Sequence, residues 1–584
     1  MSSPPHPADT PPAVEALPTA DVSPRGPAGA LSHIERVVIA LALVVLAALR
    51  WLSITSHQWN TDEPQHLHVV WRWTAGYLQY RDYFDNHTPL FHMLNAPLLR
   101  WFGERADIVL KMREAMIPLF AASLWCVYRL SLRIYDRRTA IFAALLAAFL
   151  PAFFSRMGEF RTDVMWTTVW LLALVAALEG ELTPRRTFGV ALLLGAAFAV
   201  SMKTTLLLFC LAAAGGVTWQ LAGRPISKAW PRHAAAFLAG LIIVPGIIVA
   251  YFASQEGGLP AMYQCVIKHN TLPGQNLAEV MGKHLLAQST LWLIPTWICA
   301  AAMLPEARRE PRRGYRRLFL FLLTGGYYSL LWAFWPVVTT QDYLPWLPLL
   351  PIFAVAGAAW LRQFLRAKFG RTLPWLVLPS LLLAGEIAWV VRTEWPFPNA
   401  EAGRIETLQA RLRLADPGEY VLDAKGETIF RPRPCYLLLE SLTLKQIQLG
   451  ILKDDIRERL IKTSTAVVGR LGDRGNALPD AERFIASNYI RVKGGHVLGQ
   501  HLPAERATPI TFDIVIPERY GFATLKGDVQ GTLDGTPIAG PRWLEAGRHE
   551  ANIAHPAGEV SLVWARALER GYSPYTISKW KSLD

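Results

Sequence analysis

Two adjacent acids, Asp62 and Glu63, follow the first apolar run of the chain, in the segment HQWNTDEPQHLHVVW. A further acid, Asp163, opens a later apolar run in EFRTDVMWTTVWLLAL, two residues after Arg161. Ionisable residues at the edge of a membrane are energetically unfavourable, so they are candidates for function. The structural alternative is helix capping, because the helix dipole stabilises carboxylates in the first turn. Both interpretations stay open for each acid.

Several cations share the predicted outer face with these acids. Lys203, in AVSMKTTLLL, lies between two very apolar runs, where a lysine needs an anionic partner or must reach water at the interface. The segments YRDYFDNHTPL and CVIKHN add four more candidates: Arg81, His87, Lys268 and His269. Carboxylates beside cations suit the transfer of a sugar from a polyprenyl phosphate. A carboxylate accepts the proton of the acceptor hydroxyl, and cations stabilise the departing phosphate.

The elements that must position these side chains are membrane helices. Hydrophobic residues make up 52% of the 584 positions and charged residues only 18%, which is typical of a chain that lies largely in lipid. Apolar runs of spanning length predict a polytopic α-helical membrane protein with about eleven transmembrane helices. These runs fall at 34–53, 112–131, 138–154, 163–179, 187–202, 204–222, 233–253, 289–304, 317–337, 342–361 and 373–392.

Every second loop between these runs is basic, for example the loop that contains Arg133, Arg137 and Arg138. Because positively charged loops stay in the cytosol, the alternation predicts a cytosolic N-terminus and a periplasmic C-terminus in a bacterial inner membrane. The net charge of +13 therefore reports topology and gives no indication of nucleic-acid binding. Residues 1–32, rich in Pro, Ala and Ser, are expected to form a disordered cytosolic tail.

Three predicted outer segments are long, and long connections in compact proteins are commonly functional. The first, 54–111, carries two amphipathic patterns, DEPQHLHVVWRWTAGYL and PLFHMLNAPLLRWF, that predict helices lying in the membrane interface. The second is 254–288. In the third, charges become frequent and strand-like runs alternate with helical ones. The sequence therefore predicts a transmembrane catalytic domain over 33–393 and a soluble periplasmic α+β domain over 394–584.

The acidic pair after the first helix, together with GYLQYRDYFDNHTPL, FRTD, SMKTT and TTQDYLPWLPLLPIFAVAG, resembles the GT-C superfamily of membrane glycosyltransferases. The resemblance extends over residues 35–390 and points to the bacterial branch related to aminoarabinose lipid A transferases and protein O-mannosyltransferases. It implies that Asp62 is the catalytic base, that Asp163 positions acceptor or donor, and that Lys203 lies near the donor phosphate.

The resemblance also implies residues that bind the donor phosphate or the substrate. In DNHTPL the basic position of the family is kept as His87, which would bind phosphate more weakly than lysine and in a pH-dependent way. Gln341 and Tyr343 fall where the family places polar residues at an outer helix end. The remaining candidates for this role are Arg81, Arg161, Glu63, Lys268 and His269.

This chemistry requires no cofactor, and a divalent metal stays open as an alternative. Some GT-C enzymes use a divalent ion, and Asp62, Glu63 and His66 include pairs at i,i+3 and i,i+4 spacing that could share one helical face. Departure of the phosphate can equally be assisted by Lys and Arg alone.

The expected partners are a polyprenyl-phosphate-linked sugar, membrane lipids and an envelope acceptor, which could be lipid A, lipopolysaccharide, a glycan or a protein. The family resemblance implies transfer at the periplasmic face with inversion at the anomeric carbon. The alternative is a transporter or flippase of lipid-linked sugars or anionic solutes, which would predict internal symmetry and interrupted helices. A third hypothesis is a non-catalytic envelope assembly protein, for which Asp62 and Asp163 would be dispensable.

Overall fold

The computed structural model describes residues 31–223, 228–271, 311–334, 338–370, 374–393, 401–502, 509–525, 529–554 and 559–576. The described chain is almost entirely helical up to Thr393, whereas helices and strands alternate after Glu401. The predicted helical membrane fold with a C-terminal α+β part is therefore confirmed. The number of crossings and the periplasmic side stay predictions. The predicted span 289–304 lies outside the described residues, as do 1–30 and 272–288.

Five helical segments of the described chain are long and apolar enough to span a membrane: His33–Ser56, Ile108–Ile134, Thr204–Leu221, Trp230–Ala253 and Thr340–Phe369. The other apolar helices of this part are Arg137–Phe149, Thr162–Leu178, Pro184–Val200, Pro311–Phe334 and Val377–Thr393. They pack around large aromatic side chains such as Trp166 and Trp170, which are fully buried. Aromatic side chains bury more area than any others, so these two fix the helix Thr162–Leu178 firmly among its neighbours.

The first helix shows how the chain reaches the acidic pair. A capping box starts it, in which Ser32 Oγ accepts the Glu35 N–H at 3.2 Å and Glu35 Oε2 accepts the Ser32 N–H at 2.6 Å. The helix ends at Ser56, and the next helix begins at Asp62 after a short connection. The acidic pair therefore stands just beyond the end of a long apolar helix, as the sequence predicts.

The outer segment after the first helix contains three helices, Asp62–Thr74, Leu90–Phe102 and Ile108–Glu114. The first two confirm the helices predicted from the amphipathic patterns. Gly76 follows the C-terminus of the first of them and has φ +84°, a conformation that glycine adopts without strain.

The surroundings of helix Asp62–Thr74 differ from those of a helix with one face in lipid and the other in water. Its polar residues Gln65, His66 and His68 are as deeply buried as Leu67. Two neighbours cover these polar residues: His68 Nδ1 donates a hydrogen bond to the carbonyl of Ile429 in the C-terminal part at 2.9 Å, and His66 Nδ1 lies 3.0 Å from His92 Nε2 in the helix Leu90–Phe102.

The C-terminal part contains two sheets, in which most strand pairs are antiparallel, and five helices in its described residues. The strands are β1 Val421–Leu422, β2 Val467–Val468, β3 Tyr489–Val492, β4 Gly495–Leu502, β5 Ile510–Ile514, β6 Glu518–Thr524, β7 Gln530–Leu533, β8 Thr536–Pro537, β9 Arg542–Leu544, β10 Gly547–Ala554 and β11 Val560–Trp564. The larger sheet has the order β1-β2-β4-β11-β6-β9 with β3 paired to β4, and the smaller has the order β5-β10-β7-β8. The helices are Ala402–Leu414, Ser441–Gln448, Ile456–Lys462, Pro479–Asn488 and Ala565–Glu569.

Strands occur in this part as the sequence predicts, and the run FIASNYIRV, residues 484–492, is shared between a helix and a strand. Its first half completes the helix Pro479–Asn488, and only its second half pairs as β3. Phe484 and Ile485 bury one face of that helix, so apolar residues that suit either element are used by the helix here.

Polar contacts fix the C-terminal part against the outer segment. Arg431 donates to both carboxylate oxygens of Glu104, at 2.8 and 2.9 Å. The Trp59 N–H donates to Glu401 Oε1 at 2.7 Å, and Arg404 Nη1 donates to the Trp59 carbonyl at 2.6 Å. The connection that carries Asp62 is therefore held from both domains.

Candidate active site

Asp62 is the first residue of its helix, and each of its carboxylate oxygens faces a cation. Oδ2 accepts a hydrogen bond from Arg161 Nη1 at 2.5 Å. Oδ1 pairs with the ammonium of Lys425, which comes from the C-terminal part of the chain. Arg161 lies about a hundred residues from Asp62 in the sequence, and Lys425 lies several hundred residues from it. Only the folded chain brings the three side chains together.

Arg161 connects the two acids that the sequence singles out. While Nη1 binds Asp62, Nη2 lies 3.2 Å from Asp163 Oδ2 and Nε donates to the same oxygen at 3.3 Å. A planar guanidinium can hold two carboxylates at fixed positions in this way. The structure therefore brings Asp62 and Asp163 together on one side chain.

Lys203 extends the arrangement on the far side of Asp163. Its Nζ donates to Asp163 Oδ1 at 3.1 Å and also pairs with Asp342. Lys203 lies in the turn between the helices Pro184–Val200 and Thr204–Leu221. The result is an alternating row of six charged groups, named here the charge chain: Lys425, Asp62, Arg161, Asp163, Lys203 and Asp342.

Exposure along the charge chain is uneven. The side chains of Asp62 and Lys203 are 27% and 21% exposed, whereas those of Arg161, Asp163 and Asp342 are all below one tenth. A bound molecule would therefore reach the charge chain at Asp62 and Lys203, one carboxylate and one ammonium.

Electrostatics keep these two groups ionised. Burial on its own raises the pKa of Asp62, but the positive charges of Arg161 and Lys425 outweigh it and hold the pKa well below its usual value. Burial on its own lowers the pKa of Lys203, but the neighbouring carboxylates Asp163 and Asp342 raise it above its usual value. At neutral pH the mouth of the site thus presents a carboxylate and an ammonium.

A group of three histidines, His66, His87 and His92, lies near the charge chain. His87 Nδ1 is 2.8 Å from Asp85 Oδ1, and its ring centroid is 4.7 Å from that of His66. Burial lowers the pKa of His87, yet the charge of Asp85 and its hydrogen bond produce a net rise, to which the charge of Asp163 adds. His66 Nδ1 contacts His92 Nε2 at 3.0 Å, and burial lowers the pKa of both histidines, to about 4 for His92. His87 is thus the member of the group whose pKa is raised.

Glu63 has no exposed surface and lies outside the charge chain. Its carboxylate accepts hydrogen bonds from Arg113 Nε at 2.8 Å and Arg113 Nη2 at 2.5 Å, and from the Phe160 N–H at 3.0 Å. The predicted contact of Glu63 with substrate would require this buried pair to open.

The remaining predicted site residues divide between exposed and buried positions. Arg81 is exposed and pairs with its neighbour Asp82 at 2.7 Å, and Lys268 is also exposed. His269 is buried and lies 3.2 Å from a carboxylate oxygen of Glu440. None of these three is in the charge chain.

Gln341 and Tyr343, the predicted polar pair, are both buried in the 3-10 turn Thr340–Tyr343. Between them stands Asp342, which provides the actual contact with Lys203. The predicted position along the chain is thus right, while the residue that reaches the charge chain is the neighbour of the two that were predicted.

The described residues do not assemble the metal-binding set that the sequence leaves open. No group of three or more His, Cys, Asp or Glu in the described part of the chain is arranged to hold a metal ion. Asp62 faces two cations, Glu63 faces Arg113 and His66 faces His92. Their donor atoms point to three different partners, so this set does not fit a divalent ion in the structure described.

Two members of the charge chain were missed by sequence reasoning. Asp342 carries the same signal as Asp163, an acid at the end of an apolar run, and that signal could have identified it. Lys425 has no such signal, because it is one of many charges in a soluble-type domain.

Comparisons with known proteins find a family model that matches part of the chain and solved structures with a similar fold. A family model described as dolichyl-phosphate-mannose-protein mannosyltransferase matches residues 86–249. The crystal structure of ArnT from Cupriavidus metallidurans in the apo state is similar with a TM-score of 0.53 at 13% identity, covering 79% of this chain and 96% of that chain. ArnT bound to undecaprenyl phosphate gives 0.51 at 13% identity, covering 91% and 100%. A search of curated proteins by sequence finds no match.

A weaker likeness links the chain to the oligosaccharyltransferase of Archaeoglobus fulgidus in the apo form, with a TM-score of 0.44 at 12% identity, covering 74% of this chain and 69% of that chain. The ArnT matches show that this chain shares the fold of ArnT, and together with the family-model match they bear out the resemblance noted in the sequence. The matched range 86–249 includes Asp163 and Lys203 but not Asp62, Asp342 or Lys425. Both ends of the charge chain thus come from outside the family match.

Proposed function

We propose that this protein transfers a sugar from a polyprenyl-phosphate donor to an envelope acceptor, with Asp62 as the base. The observation that carries the proposal is the mouth of the charge chain, where a partly exposed carboxylate stands beside buried cations in a GT-C fold. That combination provides a proton acceptor and a phosphate-binding surface within one site.

The reaction is a single displacement. The acceptor hydroxyl attacks the anomeric carbon of the donor sugar, and the bond between that carbon and the phosphate oxygen breaks. The hydroxyl proton passes to Asp62, and the electron pair of the broken bond leaves with the polyprenyl phosphate. One displacement inverts the anomeric configuration, and it needs one carboxylate as base.

The cations of the site act on the phosphate. Lys203, the partly exposed cation of the charge chain, binds phosphate oxygens in this proposal. Arg161 holds the neighbouring carboxylates of the charge chain in place. Negative charge develops on the phosphate as the sugar leaves, so fixed cations stabilise the transition state more than the ground state. His87, whose pKa is raised, is a second phosphate partner in this proposal.

The substrate class is supported by what the matched proteins are. The matched family is described as acting with dolichyl-phosphate mannose on protein, and one ArnT structure contains undecaprenyl phosphate. We propose a polyprenyl-phosphate-linked sugar as donor, with lipid A, lipopolysaccharide, a glycan or a protein as acceptor, on the periplasmic side of the inner membrane. No cofactor takes part in this proposal.

Purified full-length protein, incubated with a panel of polyprenyl-phosphate sugars and envelope lipids, tests the proposal. We expect release of polyprenyl phosphate, and an acceptor mass increased by one sugar residue. Mass analysis of envelope lipids and glycans in a deletion strain would identify the sugar and the acceptor through the missing increment. Asp107→Asn is the matched control for the variant Asp62→Asn. Asp107 also pairs with an arginine, Arg105 at 2.5 Å, but it lies outside the charge chain.

Transport without hydrolysis or transfer would contradict the proposal. If the protein moves a lipid-linked sugar across a vesicle membrane while the sugar stays bound to its phosphate, the carrier hypothesis is correct instead. Wild-type activity in Asp62→Asn would exclude Asp62 as the base even if transfer occurs.

A further inference from the structure

Lys425 reaches the candidate site from a loop whose shape is fixed independently of the site. The Asp423 carboxylate accepts hydrogen bonds from the N–H groups of Gly426 at 2.6 Å and Thr428 at 2.7 Å. Arg433 Nε donates to the same carboxylate at 3.2 Å, and all of these groups are buried. A carboxylate that closes a loop in this way holds the loop backbone in one conformation. The backbone that carries Lys425 is therefore held by contacts other than the one with Asp62.

The loop is also pressed against the helix that begins with Asp62. Gly426 has φ +87°, and a Cβ atom at this position would lie 2.7 Å from Cβ of His68. Only glycine permits both that backbone conformation and that approach. His68 in turn hydrogen-bonds the carbonyl of Ile429. The C-terminal domain is therefore fitted to the Asp62 helix at the point where Lys425 enters.

The contact between Lys425 and Asp62 places a restraint on the proposed base. Asp62 faces cations on both oxygens, Arg161 on one and Lys425 on the other. Charge-assisted hydrogen bonds stabilise the ionised carboxylate, and a carboxylate stabilised as an anion is a weaker proton acceptor. In the structure Lys425 pairs with the Asp62 carboxylate, although the same ammonium could instead bind a phosphate oxygen.

The flexibility of the two cations differs. Arg161 is fixed between Asp62 and Asp163 by contacts on both sides, whereas Lys425 binds Asp62 through a single ammonium on a flexible stem. Asp62 is the more exposed partner of this pair, at 27% against 8% for Lys425. Asp62 is therefore the more solvent-facing partner of the pair, and the Lys425 ammonium is the more buried one.

We propose that Lys425 exchanges partners during the reaction, leaving Asp62 for the phosphate of the lipid-linked donor. The inference rests on the proposed function and adds a positioning role for the C-terminal domain. In this account donor binding has two effects, because the same movement neutralises the phosphate and frees Asp62 to accept the acceptor proton. The C-terminal domain thereby couples occupancy of the donor site to the strength of the base.

Equilibrium binding of undecaprenyl phosphate to full-length protein in detergent tests the exchange without requiring turnover. Lys425→Met should weaken binding by roughly 10- to 100-fold, the range of one charge-assisted hydrogen bond. Lys425→Arg should restore most of the affinity. Asp62→Asn should tighten binding several-fold, because it releases Lys425 for the phosphate.

The double variant separates this exchange from a general electrostatic effect. If Asp62 and the phosphate compete for Lys425, the tightening caused by Asp62→Asn must shrink when Lys425→Met is already present. Equal effects of Asp62→Asn in both backgrounds would overturn the inference. So would Lys425→Met with wild-type affinity and an unchanged unfolding temperature.

Two controls and one further measurement make the outcomes distinguishable. Lys453→Met removes a lysine of the same domain that is 81% exposed and 3.9 Å from Glu458, and it should bind undecaprenyl phosphate like the wild type. Inorganic phosphate at the same concentration should compete poorly if the lipid chain contributes to binding. Wild-type protein that binds no undecaprenyl phosphate would overturn the proposed function together with this inference, whereas binding that ignores Lys425 would overturn the inference alone.

Discussion

Asp62 and Glu63 are neighbours in sequence with the same chemical group, yet they lie in opposite kinds of environment. Glu63 has no exposed surface and is fixed by Arg113 through two hydrogen bonds of 2.8 and 2.5 Å. Asp62 is 27% exposed and faces two cations, Lys425 and Arg161, of which Arg161 is shared with Asp163. Successive residues of a helix are rotated by about 100°, so adjacent acids at its start face different surroundings.

The different environments of Asp62 and Glu63 indicate what each carboxylate can do. A buried ion pair with all of its hydrogen bonds satisfied resists opening, because separating the charges leaves each one unsolvated. A partly exposed carboxylate with exchangeable partners can give them up to an arriving ligand. We therefore infer that Glu63 stabilises the outer segment and that Asp62 performs chemistry.

The largest predicted effect on stability is at the buried pair. Glu63→Gln should lower the free energy of unfolding by about 3–5 kcal/mol, because it leaves Arg113 as an uncompensated buried charge. Thermal unfolding in detergent measures the change. Glu114→Gln is the matched control, since Glu114 is 33% exposed where it pairs with Lys111, and its loss should be below about 1 kcal/mol. An unchanged unfolding temperature in Glu63→Gln would show that the pair is not structural.

A smaller effect is expected where one guanidinium holds two acids. Arg161→Lys keeps the positive charge but cannot bind Asp62 and Asp163 simultaneously in the same plane. The rate of sugar transfer should fall about 10- to 100-fold, corresponding to about 1.5–3 kcal/mol for a lost charge-assisted hydrogen bond. Arg105→Lys, outside the charge chain, should keep the wild-type rate. Equal rates in the two variants would mean that the bridging geometry is irrelevant.

A third carboxylate, Glu401, sharpens the comparison because it is buried next to the Glu63 pair without a full set of partners. Burial raises its pKa to about 7, although Arg113 and Arg404 act in the opposite direction. A carboxyl group with a raised pKa binds its proton more tightly in the folded state. Its contribution to stability is therefore complete below the unfolded pKa and is lost as the pH rises towards 7.

Titration of Glu401 should accordingly remove about 1–3 kcal/mol of stability between about pH 4.5 and pH 7, while His66 and His92, whose pKa values are lowered, change stability in the opposite direction, so the effect of Glu401 is measured as the difference between the wild type and a variant that cannot titrate there. Glu401→Gln should remove this part of the slope, since an amide does not titrate. A slope of the same size in the variant would assign it to other groups.

The sequence predicts part of this site for a definite physical reason. Asp62, Asp163 and Lys203 are charged residues next to apolar runs. A charge at the membrane edge is energetically unfavourable, so its presence there indicates a function. Asp342 has the same position next to an apolar run. The pattern does not show which of two adjacent acids faces the site, because tertiary packing sets the rotation of the helix.

Lys425 shows where prediction from sequence ends. Its neighbours in the chain are ordinary charged and turn-forming residues, and its contact with Asp62 depends on how two domains pack. Exposed candidates such as Arg81 and Lys268 show the opposite case, since cations in a polar loop look alike in sequence whether or not they reach the site. The α+β nature of the second domain was predictable from periodicity, and its participation in the site was not.

Turnover and thermal unfolding, measured side by side for Asp62→Asn and Glu63→Gln, test the central claim most directly. The account predicts that Asp62→Asn unfolds near the wild-type temperature but loses transfer by about 10²- to 10⁴-fold, the usual contribution of a general base. Glu63→Gln should unfold earlier and still transfer sugar at temperatures where it is folded. Full turnover by a folded Asp62→Asn protein would contradict the account.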